Sequence, residues 1–444
     1  MTEAGNTKGL NRSILALAVP ALGALIVEPL FLIVDSALVG HLGIDQLAGL
    51  GIASAVLQTI VGLMVFLAYA TTPAVARLVG AGDLRRAVSV GIDGLWLALA
   101  IGVVLALGGW LATPLLVGLF GPSGDVAENA SIYLGISMAG LPAMLLVFAA
   151  TGLLRGLQDT VTPLWIAGVG FAANAGLNAL LIYGFGLGIA GSAIGTVIAQ
   201  WLMVAAYAVV IGRLAARHSA SIRPSRDGLR GSARSGGWLL LRTVSLRVAF
   251  LLTVAVASGL GSTELAGYQV VFVIFTTAAF ALDALAIAAQ ALIGRGLGAG
   301  RVDEVRLVLR RMLQWGAGFG VIVGTAVAAL SGVIGVAFTG DAALGALVQP
   351  ALIVLAVAQP IAGLVFVLDG ILIGAGDARY LAITGAINLA ALLPLLWLVA
   401  AAGTPGAAGL AFLALAFFGG YLLARLITLW LRARGTAWMV TGAG

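Results

Sequence analysis

Two carboxylates seven residues apart stand inside an otherwise apolar run. They are Glu28 and Asp35, in LIVEPLFLIVDSALVG (residues 25–40), with no Lys, Arg or His close by in the sequence to neutralise them. An acid buried among apolar side chains can load and release a proton or hold a small cation, which makes the pair a candidate for ion coupling. Seven residues is two helical turns, so both acids lie on one helix face roughly 10 Å apart along the axis. Counted from Arg12, Glu28 lies roughly 24 Å along such a helix and Asp35 roughly 35 Å, near the middle of a bilayer and in its outer half. Pro20 and Pro29 each remove a backbone donor from the same helix and can bend it. Two alternatives stay open: Asp35 caps the helix or snorkels to the surface near Gly40, and Glu28 is a structural acid paired with Arg247.

Asn174 and Asn178, in FAANAGLNALLIYG, are four residues apart and share a helix face. They either contact a coupled ion or hydrogen-bond to a neighbouring helix. Asp283 in FALDALAIAAQ and Asp369 in FVLDGILIG are further buried acids. Asp283 either binds cationic substrate or pairs with Arg247; Asp369 either faces a substrate cavity or is simply solvated. Asp93 reads as a surface acid paired with Arg85 or Arg86. Met64, Tyr69, Met144 and Phe275, with Phe66, Met138 and Phe148, suit a pliable cavity for flat ligands, with ordinary packing as the alternative. There is no cysteine, neither His41 nor His218 has a partner at metal-ligand spacing, and no P-loop is present. These features exclude thiol chemistry and ATP as the energy source. No nucleophile, paired-acid or metal constellation marks an enzyme, and no cofactor is expected beyond H⁺ or Na⁺ as a coupling ion.

The elements that must position these residues are membrane helices. Of 444 residues, 61% are hydrophobic and 9% charged, where a soluble domain carries roughly 25% charged residues; mean hydropathy is +1.14. The apolar runs are continuous, without the alternation of a barrel strand, and long enough to span. The first follows MTEAGNTKGLNRS and reads as a retained helix, too long for a signal peptide's core. The expected helices are 14–39, 48–74, 88–118, 131–153, 161–185, 189–212, 237–259, 267–292, 308–338, 346–369, 379–401 and 406–431. The 23 Lys and Arg all fall at the termini, around the even-numbered connections or early in the seventh helix. The odd-numbered connections carry none, which places both termini and the even connections in the cytoplasm. The net charge of +6 therefore reflects a basic membrane face meeting anionic lipids, with no nucleic-acid partner implied.

The chain is expected to divide into an amino-terminal six-helix lobe (1–212), a basic cytoplasmic linker (213–236) and a carboxy-terminal six-helix lobe with a short tail (237–444). A constant offset of 218 relates the two lobes. It brings QLAGL at Gln46 onto ELAGY at Glu264, and Arg77, Gly80, Ala81 and Gly82 onto Arg295, Gly298, Ala299 and Gly300. It also brings Gly152, Gly156 and Asp159 onto Gly370, Gly374 and Asp377, and GIAG at Gly188 onto GAAG at Gly406. Six helices per copy make the repeats parallel, the layout of an alternating-access carrier.

With this layout, VDSALVGHLG, LAGLGIAS, ARLVGAGD and GLLRGLQDT together resemble the multidrug and toxic compound extrusion family, in its DinF-like branch, over about residues 10–432. The resemblance implies an all-α fold of twelve transmembrane helices in two parallel repeats, a V-shaped pair of bundles around a central cavity. It also implies a monomeric plasma-membrane antiporter that exports amphipathic or cationic small molecules against inward H⁺ or Na⁺. Asp35 matches the first-helix aspartate on which such transporters bind their cation, with Asn174, Asn178 and Thr196 as its neighbours. Some relatives carry an aspartate at the position of Asn178, so a second carboxylate here would have to be Glu28. The repeat position of Asp35 is Thr253, and the seventh helix has no acid, which favours coupling through the amino-terminal lobe. The alternative is a lipid-linked precursor flippase of the same superfamily. A cavity lined by clustered arginines rather than acids would mark it.

Overall fold

The computed structural model describes residues 3–122, 124–339 and 342–442. Among them twelve helical spans are long and apolar enough to cross a membrane, one for each apolar run of the sequence. In the amino-terminal half, α1 (Glu3–Gly40) passes both prolines without interruption, and α2 (Ile44–Met64) and α3 (Phe66–Gly80) make the second span, broken at Val65. The third span is α4 (Leu84–Gly118). The fourth consists of α5 (Gly124–Ser137), a tight turn at Met138–Gly140, and α6 (Leu141–Gly156). Then come α7 (Val161–Ala179), which widens into a π turn at Leu180–Gly184, and α8 (Gly188–Arg217). The second half runs α9 (Arg226–Leu260), α10 (Ser262–Gly298), α11 (Val302–Thr339), α12 (Ala342–Gly374), α13 (Ala378–Ala402), α14 (Gly406–Ala414), a π turn Leu415–Tyr421 and α15 (Leu422–Arg434).

Most helices outrun their apolar stretches, chiefly at the arginine-bearing ends. Arginine is a good helix former and its head is satisfied by water, so a helix continues where hydrophobicity stops. The effect is largest at the linker, because α8 extends to Arg217 and α9 begins at Arg226, leaving residues 218–225 outside helices. That segment is held along α4. Ser225 donates to Asp93 through its backbone N (2.7 Å) and its Oγ (2.8 Å), Trp96 Nε1 donates to the Ile222 carbonyl, and the Ser221 N–H donates to Ser89 Oγ. Asp93 is thus buried and clasps the linker, rather than pairing at the surface with Arg85 or Arg86.

The chain forms two compact units. One is Val19–Gly236; the other combines the segment up to Ala18 with Gly237–Gly442. The start of α1 therefore packs with the carboxy-terminal helices, where Asn11 Oδ1 accepts from Arg311 Nε (2.7 Å) and Trp315 Nε1 (3.2 Å).

Each unit builds its core the same way. A Cβ on Gly152 or Gly156 of α6 would meet the α3 carbonyls of Ala68 or Thr72 at 2.7 Å. A Cβ on Gly370 or Gly374 of α12 would meet the α10 carbonyls of Ala286 or Gln290 at 2.5 and 2.7 Å. All four contacts are related by the offset of 218, and so are the left-handed Gly82 and Gly300 that close the following turns. Outward, α4 presents Val104, Leu107, Leu111 and Leu115, all exposed, as expected of a face against lipid.

Candidate coupling site and cavity

Asp35 lies within the amino-terminal unit and is only 3% exposed. Its carboxylate accepts three hydrogen bonds, from Tyr133 Oη of α5 (3.0 Å, to Oδ2), and from Asn178 Nδ2 of α7 (2.8 Å) and Ser192 Oγ of α8 (2.5 Å), both to Oδ1. All three partners are neutral. Behind them, Asn178 Nδ2 also lies 3.3 Å from Asn174 Oδ1, and Asn174 Nδ2 donates to Thr196 Oγ1 at 3.0 Å. Asn174 with Asn178 and Ser192 with Thr196 are both (i, i+4) pairs, so two facing helices zip their polar stripes together. Tyr183 Oη donates to the Leu38 carbonyl at 2.6 Å and ties α1 to the widened end of α7.

A cavity of about 180 Å³ opens beside this ladder, and Asn174 and Thr196 belong to its wall. α1 contributes Glu28 and Phe31; α6 contributes Met144, Phe148 and Arg155; α7 and α8 add Phe171, Gln200, Met203 and Tyr207. Most of the lining is apolar or aromatic. Glu28 is an exposed wall residue, while Arg155 stands in the last turn of α6 and is largely buried.

The structure thus brings Asp35, Asn174, Asn178 and Thr196 together and rules out Asp35 as a solvated helix cap. Glu28 lines the adjoining cavity with Met144. Met64 and Tyr69 are half-buried on the second span and do not line this cavity. Phe275 belongs to the core of the other unit, where its ring packs on Phe418 (5.1 Å), Phe417 and Phe272. Asp369 is neither solvated nor free for substrate. It is 6% exposed and bridged by Arg242 (2.6 Å) and by Arg425. Asp283 is half-buried on α10. Sequence reasoning missed Tyr133 and Ser192. The spacing of Ser192 to Thr196, which repeats that of the two asparagines, was the signal available; Tyr133 had none.

The offset of 218 lets the two units be compared position by position. Asp35, Tyr133, Asn174, Asn178, Ser192 and Thr196 correspond to Thr253, Ala351, Leu392, Leu396, Leu410 and Ala414. All six of the latter are buried, and Thr253 returns its hydroxyl to the Ala249 carbonyl of its own helix. One lobe holds a polar ladder where its copy holds hydrocarbon.

The sequence pattern of the MatE family matches residues 20–180 and again 239–398, one copy in each half. The chain belongs to the MatE family. Like its relatives it is a multi-pass membrane transporter of the multidrug and toxic compound efflux type, a secondary transporter and not an enzyme. It is 31% identical to protein DETOXIFICATION 44, chloroplastic, of Arabidopsis thaliana, over 90% of this chain and 78% of that one. It is 29% identical to DNA damage-inducible protein F of Escherichia coli K12, over 64% and 63%. The crystal structure of the Vibrio cholerae MATE transporter VcmN in the bent form shares the fold at a TM-score of 0.87 and 23% identity, covering 96% of this chain and 97% of that one.

Proposed function

We propose that this MatE protein exports amphipathic, cationic compounds in exchange for inward protons by alternating access, and that Asp35 is the switchable charge. The observation that carries the reading is the ladder's confinement to one lobe: a buried carboxylate with three neutral donors, replaced in the symmetry-related lobe by Leu, Ala and Thr. A buried carboxylate without a counter-cation is costly, so its charged and neutral forms favour different surroundings. An ion that binds one arrangement of the lobe better shifts the population toward it, and that difference is the source of coupling.

The adjoining cavity supplies the substrate side. Methionine and aromatic walls adapt to flat ligands of varied shape, and Glu28 offers a carboxylate to a cationic group. Asn174 and Thr196 belong to both the wall and the ladder, so occupancy of one is felt by the other. Na⁺ as the coupling ion is the second reading. It is favoured by the four neutral side-chain oxygens of Asn174, Asn178, Ser192 and Thr196 around one carboxylate, since a hard cation takes oxygen ligands. The distribution of arginines supports a topology with both termini cytoplasmic; a monomer in the plasma membrane is the reading that the likeness to bacterial MATE transporters supports.

Inside-out vesicles carrying wild type or Asp35→Asn, given a proton gradient and then a sodium gradient, test the proposal through ethidium uptake. Proton-driven uptake that vanishes in the variant is expected. Sodium-driven uptake would transfer the role to Na⁺, and a variant as active as wild type would remove Asp35 from coupling. Absence of uptake even in wild type would favour a lipid-linked substrate.

A further inference from the structure

A second cleft, of about 300 Å³, lies in the carboxy-terminal unit between the start of α11, the end of α15 and the tail that follows. Three guanidinium groups line it: Arg306 and Arg310, one turn apart on α11, and Arg434 at the end of α15. Leu309, Leu313 and Trp430 make the apolar part of the wall. Heptad-like interleaving explains this two-toned surface, because 306, 309, 310 and 313 share one helical face and 430 and 434 share another. No acid is among the lining residues. The nearest acids in sequence are Asp303 and Glu304, in the first turn of α11; Glu304 pairs with Arg301, and Asp303 reaches Arg306 at 3.4 Å with its own side chain 99% exposed. A pair that open to water holds its partner weakly, so Arg306 can turn to a better anion.

The tail makes a fixed wall of this cleft. Trp438 is buried and donates to the Ala433 carbonyl, the Met439 N–H donates to the Thr436 carbonyl, and the Gly442 N–H reaches back to the Leu297 carbonyl at 3.0 Å. Gly435, Thr436 and Met439 are thereby held against the two helix ends.

The geometry points to a binding site for one anionic phospholipid, its phosphate seated among Arg306, Arg310 and Arg434 and an acyl chain running along Leu309, Leu313 and Trp430. Charge and apolarity are both needed to choose this occupant. A free phosphate would use the three arginines and leave the apolar wall wet, while a zwitterionic lipid would bring an ammonium group to a site that already holds three positive charges. Arginine matches phosphate oxygens in a bidentate fork, and the site stands at the helix ends where a headgroup layer would lie.

The test uses the full-length protein in detergent, with thermal midpoints and native mass spectrometry read against added phosphatidylglycerol, phosphatidylcholine and inorganic phosphate. Wild type is expected to retain phosphatidylglycerol and gain thermal stability from it, with little response to the other two. The double variant Arg310→Gln/Arg434→Gln should bind it about tenfold or more weakly, as loss of two basic contacts to an anionic headgroup implies. Arg310→Lys/Arg434→Lys, which keeps the charge and loses the fork, should fall between and guards against a glutamine variant that fails to fold. Equal retention by the glutamine variant, equal stabilisation by phosphatidylcholine, or full stabilisation by inorganic phosphate alone would each overturn the assignment. The readout is lipid binding, so the outcome is independent of which ion or drug the transporter uses.

Discussion

Tyr133, Asn178 and Ser192 bring three donors to one buried carboxylate, and each can be removed singly. Tyr133→Phe keeps the ring packed in the α5 core and deletes only the hydroxyl at Oδ2. A hydrogen bond to a charged group is worth about 1.5–3 kcal/mol, so the thermal midpoint should fall and, because the lost donor faces the switchable charge, initial rates of coupled drug uptake at matched expression should fall about tenfold or more. A variant with unchanged rates would show that the hydroxyl is incidental to coupling. The residues legible in the sequence were those whose polarity is anomalous in an apolar run, Asp35, Asn174 and Asn178. Tyr and Ser are ordinary in membrane helices, so Tyr133 and Ser192 carried no such flag. Asp369 was misread for a different reason. Its two arginines come from α9 and α15, 127 and 56 residues away, and no local pattern announces a partner at that distance. Phe275 stayed open between cavity and packing because an aromatic side chain looks alike in a cavity wall and in a core, and the structure places it in the core.

Helix pairs in this protein meet through small residues, as expected where lipid offers no hydrophobic drive for association. α11 faces α12 with Gly316, Gly320 and Gly324, spaced four apart. A Cβ on Gly320 would stand 2.5 Å from the Gln359 carbonyl and 2.7 Å from Pro360 Cα, whereas one on Gly318 of the same helix would meet nothing within 4 Å. Backbone atoms cannot rotate aside as a side chain can. Gly320→Leu should therefore force the helices apart and cost about 1–3 kcal/mol or more, seen as a lowered thermal midpoint in detergent. Gly318→Leu, which has open space and replaces glycine by a better helix former, should leave the midpoint unchanged or slightly raised, and an equal loss in both variants would remove close helix contact as the cause. Helix number and order were readable because each span is a continuous apolar run. The break at Val65 and the π turn before Gly184 were not, since both are set by contacts with other helices and leave hydropathy untouched.

At the scale of the whole chain, two lobes copied at an offset of 218 are joined by a connection that reads, from its charge and length, as a basic linker over 213–236. Only residues 218–225 lie outside helices, and α4 holds them through Ser89, Asp93 and Trp96. Asp93 is the centre of this clasp. It accepts both Ser225 donors, and a Cβ on Gly228 would fall 1.8 Å from its Oδ2, so the first turn of α9 is fitted around the carboxylate. Arg223 precedes Pro224 and so resists trypsin, but Arg226, exposed beside Ser225 as the first residue of α9, is a tryptic site that must leave α4 before a protease can take it. Cleavage then reports the population of the released segment. Asp93→Ala removes two hydrogen bonds to a charged acceptor. Each is worth about 1.5–3 kcal/mol, so limited trypsin digestion in detergent should split the variant into its two halves at least about tenfold faster than wild type. Asp93→Asn, which retains an acceptor oxygen, should cleave at an intermediate rate. Equal rates in all three would place the restraint in the helix ends themselves. The repeat would then be joined by two long helices whose own stiffness, and not Asp93, keeps the connection in place.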